Sequence, residues 1–421
     1  MTTRNYDILV WGATGFTGSR LVEYLALNAP AGTRVAIGGR NRSKIEAVRA
    51  KLAAKHPMAP ISLESMDILI GDSQNAQDMH AIASQTRVVA STVGPYSIYG
   101  EQLVRACVEE VTDCCDITAE VPWVHDMNRE LNDQAVRNNV HIVSLCGFDC
   151  IPADLGCLML AQYSREHIQQ PLLHVKGSIV GIRGGVSGGT MATLGNQLGI
   201  EARRLWKGVK AQMSGSSTPQ SQPPNGKETN RAVVHYDQTL GRWQGFWVMS
   251  IINSMATKWA GRELNYGPGF SYAETMTARN VFMAIAQTLG FVYLAALMFF
   301  SATRNLLCML RAIPRPGEGP SDKFMKSGFF SLHLEAFSET EVFYGKVSGS
   351  SDPGYSETIK YLGESALCLA FDRDESFRPG IYPPSVAIGN KLLDRLRNRG
   401  CQFDVARKII PASHDSAKKV Q

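Results

Sequence analysis

Along the first 150 residues, short apolar runs alternate with segments whose apolar positions recur at helical spacing. Tyr6 to Trp11 reads as a buried strand, and the glycine-rich turn Gly12-Ala13-Thr14-Gly15-Phe16-Thr17-Gly18 follows at once. Leu21, Val22, Leu25 and Leu27 then mark one face of a helix. Val35 to Arg40 is a second strand, and Asn41-Arg42-Ser43-Lys44 leads into another helix. The pattern predicts a third strand ending near Met66-Asp67 and a fourth over Arg87 to Val93, closed by Gly94-Pro95. Runs around Cys114-Cys115-Asp116 and His141 to Cys146 continue it, with helices at about 97–110 and 123–138. Repeated β–α units predict an α/β protein: a Rossmann, doubly wound parallel sheet over residues 1–150, with its ligand at the carboxyl ends of the strands.

The pattern changes after that. Leu172 to Ile182, Phe329 to Phe337 and Glu341 to Ser348 read as longer strands, which predicts a second, α+β substrate domain over 151–355. Residues 356–421 should return to pack on the Rossmann domain through the helical stretch Gly363 to Ala370. Met213 to Arg231 is rich in Ser, Pro, Gly and Gln, and predicts a mobile insertion that buries too little apolar surface to order itself. Arg203, Arg204, Lys207 and Lys210 fall near one helical face, either a docking patch for an acidic carrier or a solvated face. Asn280 to Thr303 holds 24 residues without a formal charge. As a helix it would reach about 36 Å, against roughly 30 Å for a hydrocarbon core. Asn280, Gln287, Thr288 and Gly290 weaken it as a span. It is expected to lie on a lipid surface, or to be buried in the core or at a homodimer interface, without crossing a bilayer.

Charge and cysteine usage narrow the classes. Lys and Arg number 43 against 38 Asp and Glu, a net +5 with no long basic tract, which argues against nucleic acid as a partner. Hydrophobic residues make up 44%, enough for a large core. The nine cysteines contain no CxxC pair and stand beside no histidine cluster, so neither a disulfide framework nor a metal site is expected. The first residues lack the features of a signal peptide. A cytoplasmic protein, with peripheral membrane or lipid-droplet contact through 280–303, is the expectation.

The glycine turn carries the candidate chemistry. Glycines let backbone approach a pyrophosphate, and free N–H groups at a helix start favour an anion. The spacing is GxxGxxG rather than GxGxxG, so the strand–turn–helix setting carries the reading. An NAD site places a carboxylate at the end of the second strand; here Arg40 stands there, with Ser43 and Lys44 beyond. A guanidinium can bind a 2′-phosphate bidentately, each charge-assisted bond contributing roughly 1.5–3 kcal/mol, so NADP(H) is the cofactor read here. Asp67 is placed to contact the adenine edge. Thr92, Val93, Gly94 and Pro95 should lie under the nicotinamide, which makes Tyr96 the candidate proton donor. Asp149 follows a strand end and is read either as orienting substrate or water, or as a helix cap. Cys146 is read as a packed thiol rather than a nucleophile.

Several blocks resemble the saccharopine dehydrogenase-like oxidoreductases. They are GATGFTG at 12–18, Ser91 to Tyr96, Tyr99-Gly100-Glu101, and Cys146 to Asp149. Further on come Arg183 to Thr190, Pro316 to Pro320, Gly354 to Thr358 and Gly363 to Ala370. Together they span nearly the whole chain and resemble the trans-acting enoyl reductases in particular. That resemblance implies reduction of the C=C of a carrier-bound polyketide intermediate, with a polyketide synthase as partner. Two other readings stay open: a non-catalytic, lipid- or membrane-associated relative, and an amino-acid or imine dehydrogenase of the saccharopine type.

Overall fold

The computed structural model describes residues 4–185, 233–299 and 319–408, together with Thr303, Leu307 and Met309. The insertion 213–231, the basic residues at 203–210, and parts of two family-like blocks (186–190 and 316–318) lie outside the described residues.

Seven parallel strands form the first sheet: β1 (Tyr6–Trp11), β2 (Val35–Gly39), β3 (Ile68–Ile70), β4 (Thr86–Ser91), β5 (Asp113–Asp116), β6 (His141–Val143) and β13 (Gly380–Tyr382). Their spatial order is β13-β6-β5-β4-β1-β2-β3. The order reverses at β1, whose neighbours are β2 and β4, and this opens the crevice in which a doubly wound sheet binds its ligand. β1, β2 and β5 are buried almost throughout, because helices cover both faces of a parallel sheet.

The second sheet is mixed. It comprises β7 (His174–Arg183), β8 (His235–Asp237), β9 (Arg242–Phe246), β10 (Ser271–Ala278), β11 (Phe329–Phe337), β12 (Val342–Gly349) and β14 (Gln402–Ala406). Its order is β14-β12-β11-β7-β10-β9-β8, with only the β7–β10 pair parallel. β7, β11 and β12 match the expected strands within two residues.

Two buried helices join the layers. Ile151–Tyr163 is buried from Ile151 to Ala161, and Gly156 brings it against β11 and β12: a Cβ there would lie 2.7 Å from Leu334. Thr358–Phe371 is buried from Tyr361 to Ala370 and lies on the first sheet, where Gly363 admits the ring of Tyr24. Its buried Glu364 accepts hydrogen bonds from Tyr24 (2.6 Å), Arg395 (2.7 Å) and Arg399 (2.8 Å), so its charge is fully partnered.

The structure departs from the sequence reading at several places. The helix expected over 97–110 is two, Tyr96–Tyr99 and Glu101–Glu109, meeting at Gly100, where a Cβ would lie 2.7 Å from the Tyr96 carbonyl and 2.8 Å from the Trp123 ring. Leu27 is exposed rather than buried. β3 begins after Asp67 instead of ending there. Residues beyond 355 serve both sheets, since β13 joins the first and β14 the second.

Candidate active site at the carboxyl edge of the first sheet

The turn after β1 is shaped by what its glycines exclude. Gly12 has φ +93°, and a Cβ there would lie 2.7 Å from Val93. A Cβ on Gly18 would lie 2.1 Å from the Gly12 carbonyl oxygen, so only glycine lets helix Phe16–Asn28 start this close to the strand. The Gly12 and Ala13 N–H groups each donate to Gly38 at 3.0 Å, and Thr92 Oγ1 donates to the Trp11 carbonyl at 3.1 Å. The turn is thereby pinned between β2 and β4. Gly15 occupies the helix cap position, no side chain caps it, and no acidic residue stands in the first turn. Such a helix start, approached by bare backbone at Gly12, Thr14 and Gly15, fits the pyrophosphate of a dinucleotide. Thr14 and Gly15 are exposed, and Thr17 is half-buried beside them. The Phe16 side chain turns away: its ring meets Tyr355 edge-on at 4.9 Å and carries the Arg20 guanidinium at 3.7 Å.

Arg40 is exposed where β2 ends, and among the described residues no ion pair joins it to a carboxylate. Asn41 caps the next helix, accepting from the Lys44 N–H at 3.0 Å and the Ser43 hydroxyl at 2.8 Å. Ser43 thus serves the cap, while the Lys44 side chain is exposed, as is Arg40.

Asp67 is a correction. It precedes β3 and accepts a hydrogen bond from Tyr6, the first residue of β1, at 3.0 Å. That places it at the amino edge of the sheet, away from the glycine turn, where no adenine edge would lie. The carboxylate at the carboxyl end of β3 is Asp72. Beside it Ser73 accepts from Trp11 Nε1 at 3.0 Å. The signal was present, since Gly71-Asp72 directly follows Ile68-Leu69-Ile70.

Val93, Gly94 and Pro95 line the crevice beyond β4, with the Gly94–Pro95 peptide cis. Tyr96 is the second correction. It is 5% exposed, donates its phenol to the Ser91 carbonyl at 3.0 Å and accepts from the Ile117 N–H at 3.4 Å. Burial, helped by the charge of Asp116, holds its proton more tightly than usual. The phenol knits β4 to the end of β5 and does not face the crevice, so it is not placed to donate a proton there. Glu120, which the sequence reading missed, accepts the N–H groups of Tyr96 (2.7 Å) and Ser97 (3.2 Å) and anchors this corner.

The loop from Ser144 to Cys150 closes the site beside β5. The Ser144 hydroxyl donates to Asp116 at 2.8 Å, and the Cys146 N–H donates to the Asp116 carbonyl at 2.8 Å. The Cys146 thiol donates to Val143 at 3.2 Å, and burial pushes its pKa up, which agrees with a packed thiol. Phe148 meets Phe330 of β11 at 4.8 Å, and its N–H donates to Thr358 at 3.0 Å. Asp149 is partly exposed between buried Phe148 and Cys150, and burial pushes its carboxyl up to about 6. It caps no helix; the cap position of Ile151–Tyr163 is Cys150, without a side-chain bond.

Distant blocks meet on this rim. The Gly185 N–H donates to Asp352 at 2.6 Å, and Gly184 lies against Pro353. Gly319 packs on the Phe16 ring, where a Cβ would come within 2.4 Å. The described parts of 12–18, 146–149, 183–185, 319–320 and 354–358 are therefore brought together through these contacts.

A Mycobacterium tuberculosis protein of the trans-acting enoyl reductase group is 30% identical over 421 residues, covering 96% of this chain and 99% of its own. A trans-acting enoyl reductase of Mycobacterium bovis is 29% identical over 429 residues, covering 96% and 98%. No family model matches. Apo saccharopine dehydrogenase (L-Glu forming) from Saccharomyces cerevisiae shares the fold, with a TM-score of 0.52 at 11% identity over 95% of this chain and 99% of that one. The chain belongs to the trans-acting enoyl reductase family, oxidoreductases that work with a nicotinamide cofactor, and it shares its fold with saccharopine dehydrogenase.

Proposed function

We propose that this protein is an NADPH-dependent enoyl reductase that acts in trans on an α,β-unsaturated thioester borne by the carrier of a polyketide synthase. The observation that carries the cofactor choice is Arg40, exposed at the end of β2 where an NAD site would hold a carboxylate. When bound, the reduced nicotinamide would supply a hydride to the β-carbon of the C=C. Gly12, Thr14, Gly15 and the backbone of Phe16, Thr17 and Gly18 would hold the pyrophosphate. Arg40, with Lys44 beside it, would hold the 2′-phosphate, and Thr92 to Pro95 would floor the nicotinamide. NADPH should bind at least about tenfold tighter than NADH, a preference of about 1.4 kcal/mol. Arg40→Asp should shrink or reverse that ratio in a fluorescence titration; equal affinities in the wild type would exclude the NADP assignment. The reaction is tested with NADPH deuterated at the transferred hydrogen and a carrier-bound enoyl thioester. Deuterium on the β-carbon supports enoyl reduction, and deuterium on a carbonyl or imine carbon points to ketone or amino-acid chemistry.

The same reading lays helix Val281–Phe299 against lipid. Phe282, Ile285, Leu289, Val292 and Tyr293 recur along one face at helical spacing and are all exposed. The opposite face is fastened to β9: Thr288 accepts from the Phe246 N–H at 3.1 Å, and Gln287 donates to the Phe246 carbonyl at 3.2 Å. A helix tied down on one side and apolar on the other suits contact with a bilayer surface rather than passage through it.

A further inference from the structure

Reducing a C=C needs a proton at the α-carbon as well as a hydride at the β-carbon, and the burial of Tyr96 leaves that role without a residue. The candidates are the acids at the carboxyl ends of β5 and β6, on the half of the sheet that would carry the nicotinamide. Asp116 is spent, since it accepts from the Thr118 N–H at 2.9 Å and from Ser144 at 2.8 Å and is 1% exposed. Glu120 is spent on Tyr96 and Ser97. One turn into the next helix, Asp154 accepts the Ser385 N–H at 2.8 Å and its hydroxyl at 2.6 Å. Glu274 on β10 faces the same helix but is held by Asn253 at 2.5 Å and is 6% exposed.

Asp149 differs from all four. Its carboxyl has no hydrogen-bond partner among the described residues, and it alone of the five is partly exposed. Its backbone is fixed on both sides: Phe148 is locked between Phe330 and Thr358, and the Cys150 and Ile151 N–H groups donate to the Gly147 carbonyl at 3.1 and 2.9 Å. A rigid loop beyond the carboxyl end of β6, packed against β11 through Phe148, therefore holds an unspent and partly exposed acid. Its neighbour is the Cys150 thiol, whose own pKa burial raises, and among the described residues no cation favours its charged form.

We propose that Asp149 is the acid that protonates the α-carbon, an assignment resting on the enoyl-reductase reading. With the hydride at the β-carbon, the electron pair of the former C=C forms a Cα–H bond while the Asp149 O–H bond breaks. The carboxylate is then reprotonated by water.

The experiment compares full-length wild type with Asp149→Asn and Asp149→Glu, using an enoyl pantetheine thioester and NADPH. Asp149→Asn should keep its NADPH affinity while kcat falls about 100-fold or more, and Asp149→Glu should recover part of that loss. Wild-type kcat should decline as pH rises above about 6, where the acid ionises, and the Asn variant should lose that limb. Two readouts need no hydride. Carboxyl-¹³C NMR of the free protein should show a group titrating near 6 that the Asn variant lacks. In D₂O without cofactor, wild type should exchange the α-hydrogen of the saturated thioester faster than Asp149→Asn. Unchanged kcat, pH profile and exchange in a folded Asn variant overturn Asp149 alone. Should that variant not fold, an Asp149 carboxyl titrating near 4 in the wild type overturns it instead. Wild type that binds NADPH yet reduces no enoyl thioester overturns the enoyl-reductase reading and this assignment with it.

Discussion

A methyl group at position 18 would have to share space with the Gly12 carbonyl, 2.1 Å away. No side-chain rotation relieves that clash, because both partners are backbone. Gly18→Ala must push the helix start away from β1, which spoils the anion cradle and strains the packing beneath. The expected outcome is loss of dinucleotide binding in a fluorescence titration and a fall of about 1–3 kcal/mol in stability by urea denaturation. Retention of both would mean the turn does not hold the pyrophosphate. The same scale shows where sequence reading stops. The glycine turn and Arg40 were legible because strand, turn and helix adjoin in the chain. The fate of Tyr96 was not, since its phenol bonds to Ser91 and Ile117 across two strands. Asp67 misled because β3 has only three residues, too short for a hydrophobic run to show its ends.

Helix Val281–Phe299 shows how element legibility depends on what covers an element. Its apolar run was plain in the sequence, but the same run suits a span, a core helix or an interfacial one. The exposure of Phe282 and Leu289 sets the core helix aside, and the hydrogen bonds to Phe246 are what support the proposed interfacial contact. Leu289→Glu should therefore lower liposome binding without lowering the urea midpoint. A variant that binds vesicles as the wild type does would remove lipid as its partner. β10 escaped notice for a related reason. Its buried face carries Tyr272 and Glu274, so apolar alternation is broken where the strand is most enclosed. β13 escaped because three residues pair with β6, almost 240 positions earlier.

Across the whole molecule several carboxyls sit where their charged form is poorly solvated. Burial pushes Asp116, Asp149 and Asp154 up to about 6 and Glu274 up to about 7. For such a group the folded chain binds a proton that the unfolded chain has already released. Its contribution therefore favours folding below the unfolded pKa and is lost as pH rises through the folded one. His333 works the other way: burial lowers it to about 4, so it weakens the fold as pH falls. A difference between variants isolates one group. The urea midpoint of Glu274→Gln should gain on the wild type from about pH 4.5 to about 7 and stay level above. A pH-independent gap would mean that Glu274 ionises normally.

The late chain gives β13 to one sheet and β14 to the other, and between the two lies the helix Asn390–Asn398, whose neighbour Arg399 reaches back to the Asn28 carbonyl at 2.9 Å. A ribosome releasing this chain therefore emits the nucleotide half long before the pieces that finish it. Until residue 382 emerges, β6 has an open edge, and until residue 371 emerges, the bed of helix Thr358–Phe371 lies bare. The early half must wait, apolar and incomplete, for the last sixth of its own sequence, and that interval is when a chaperone is most needed.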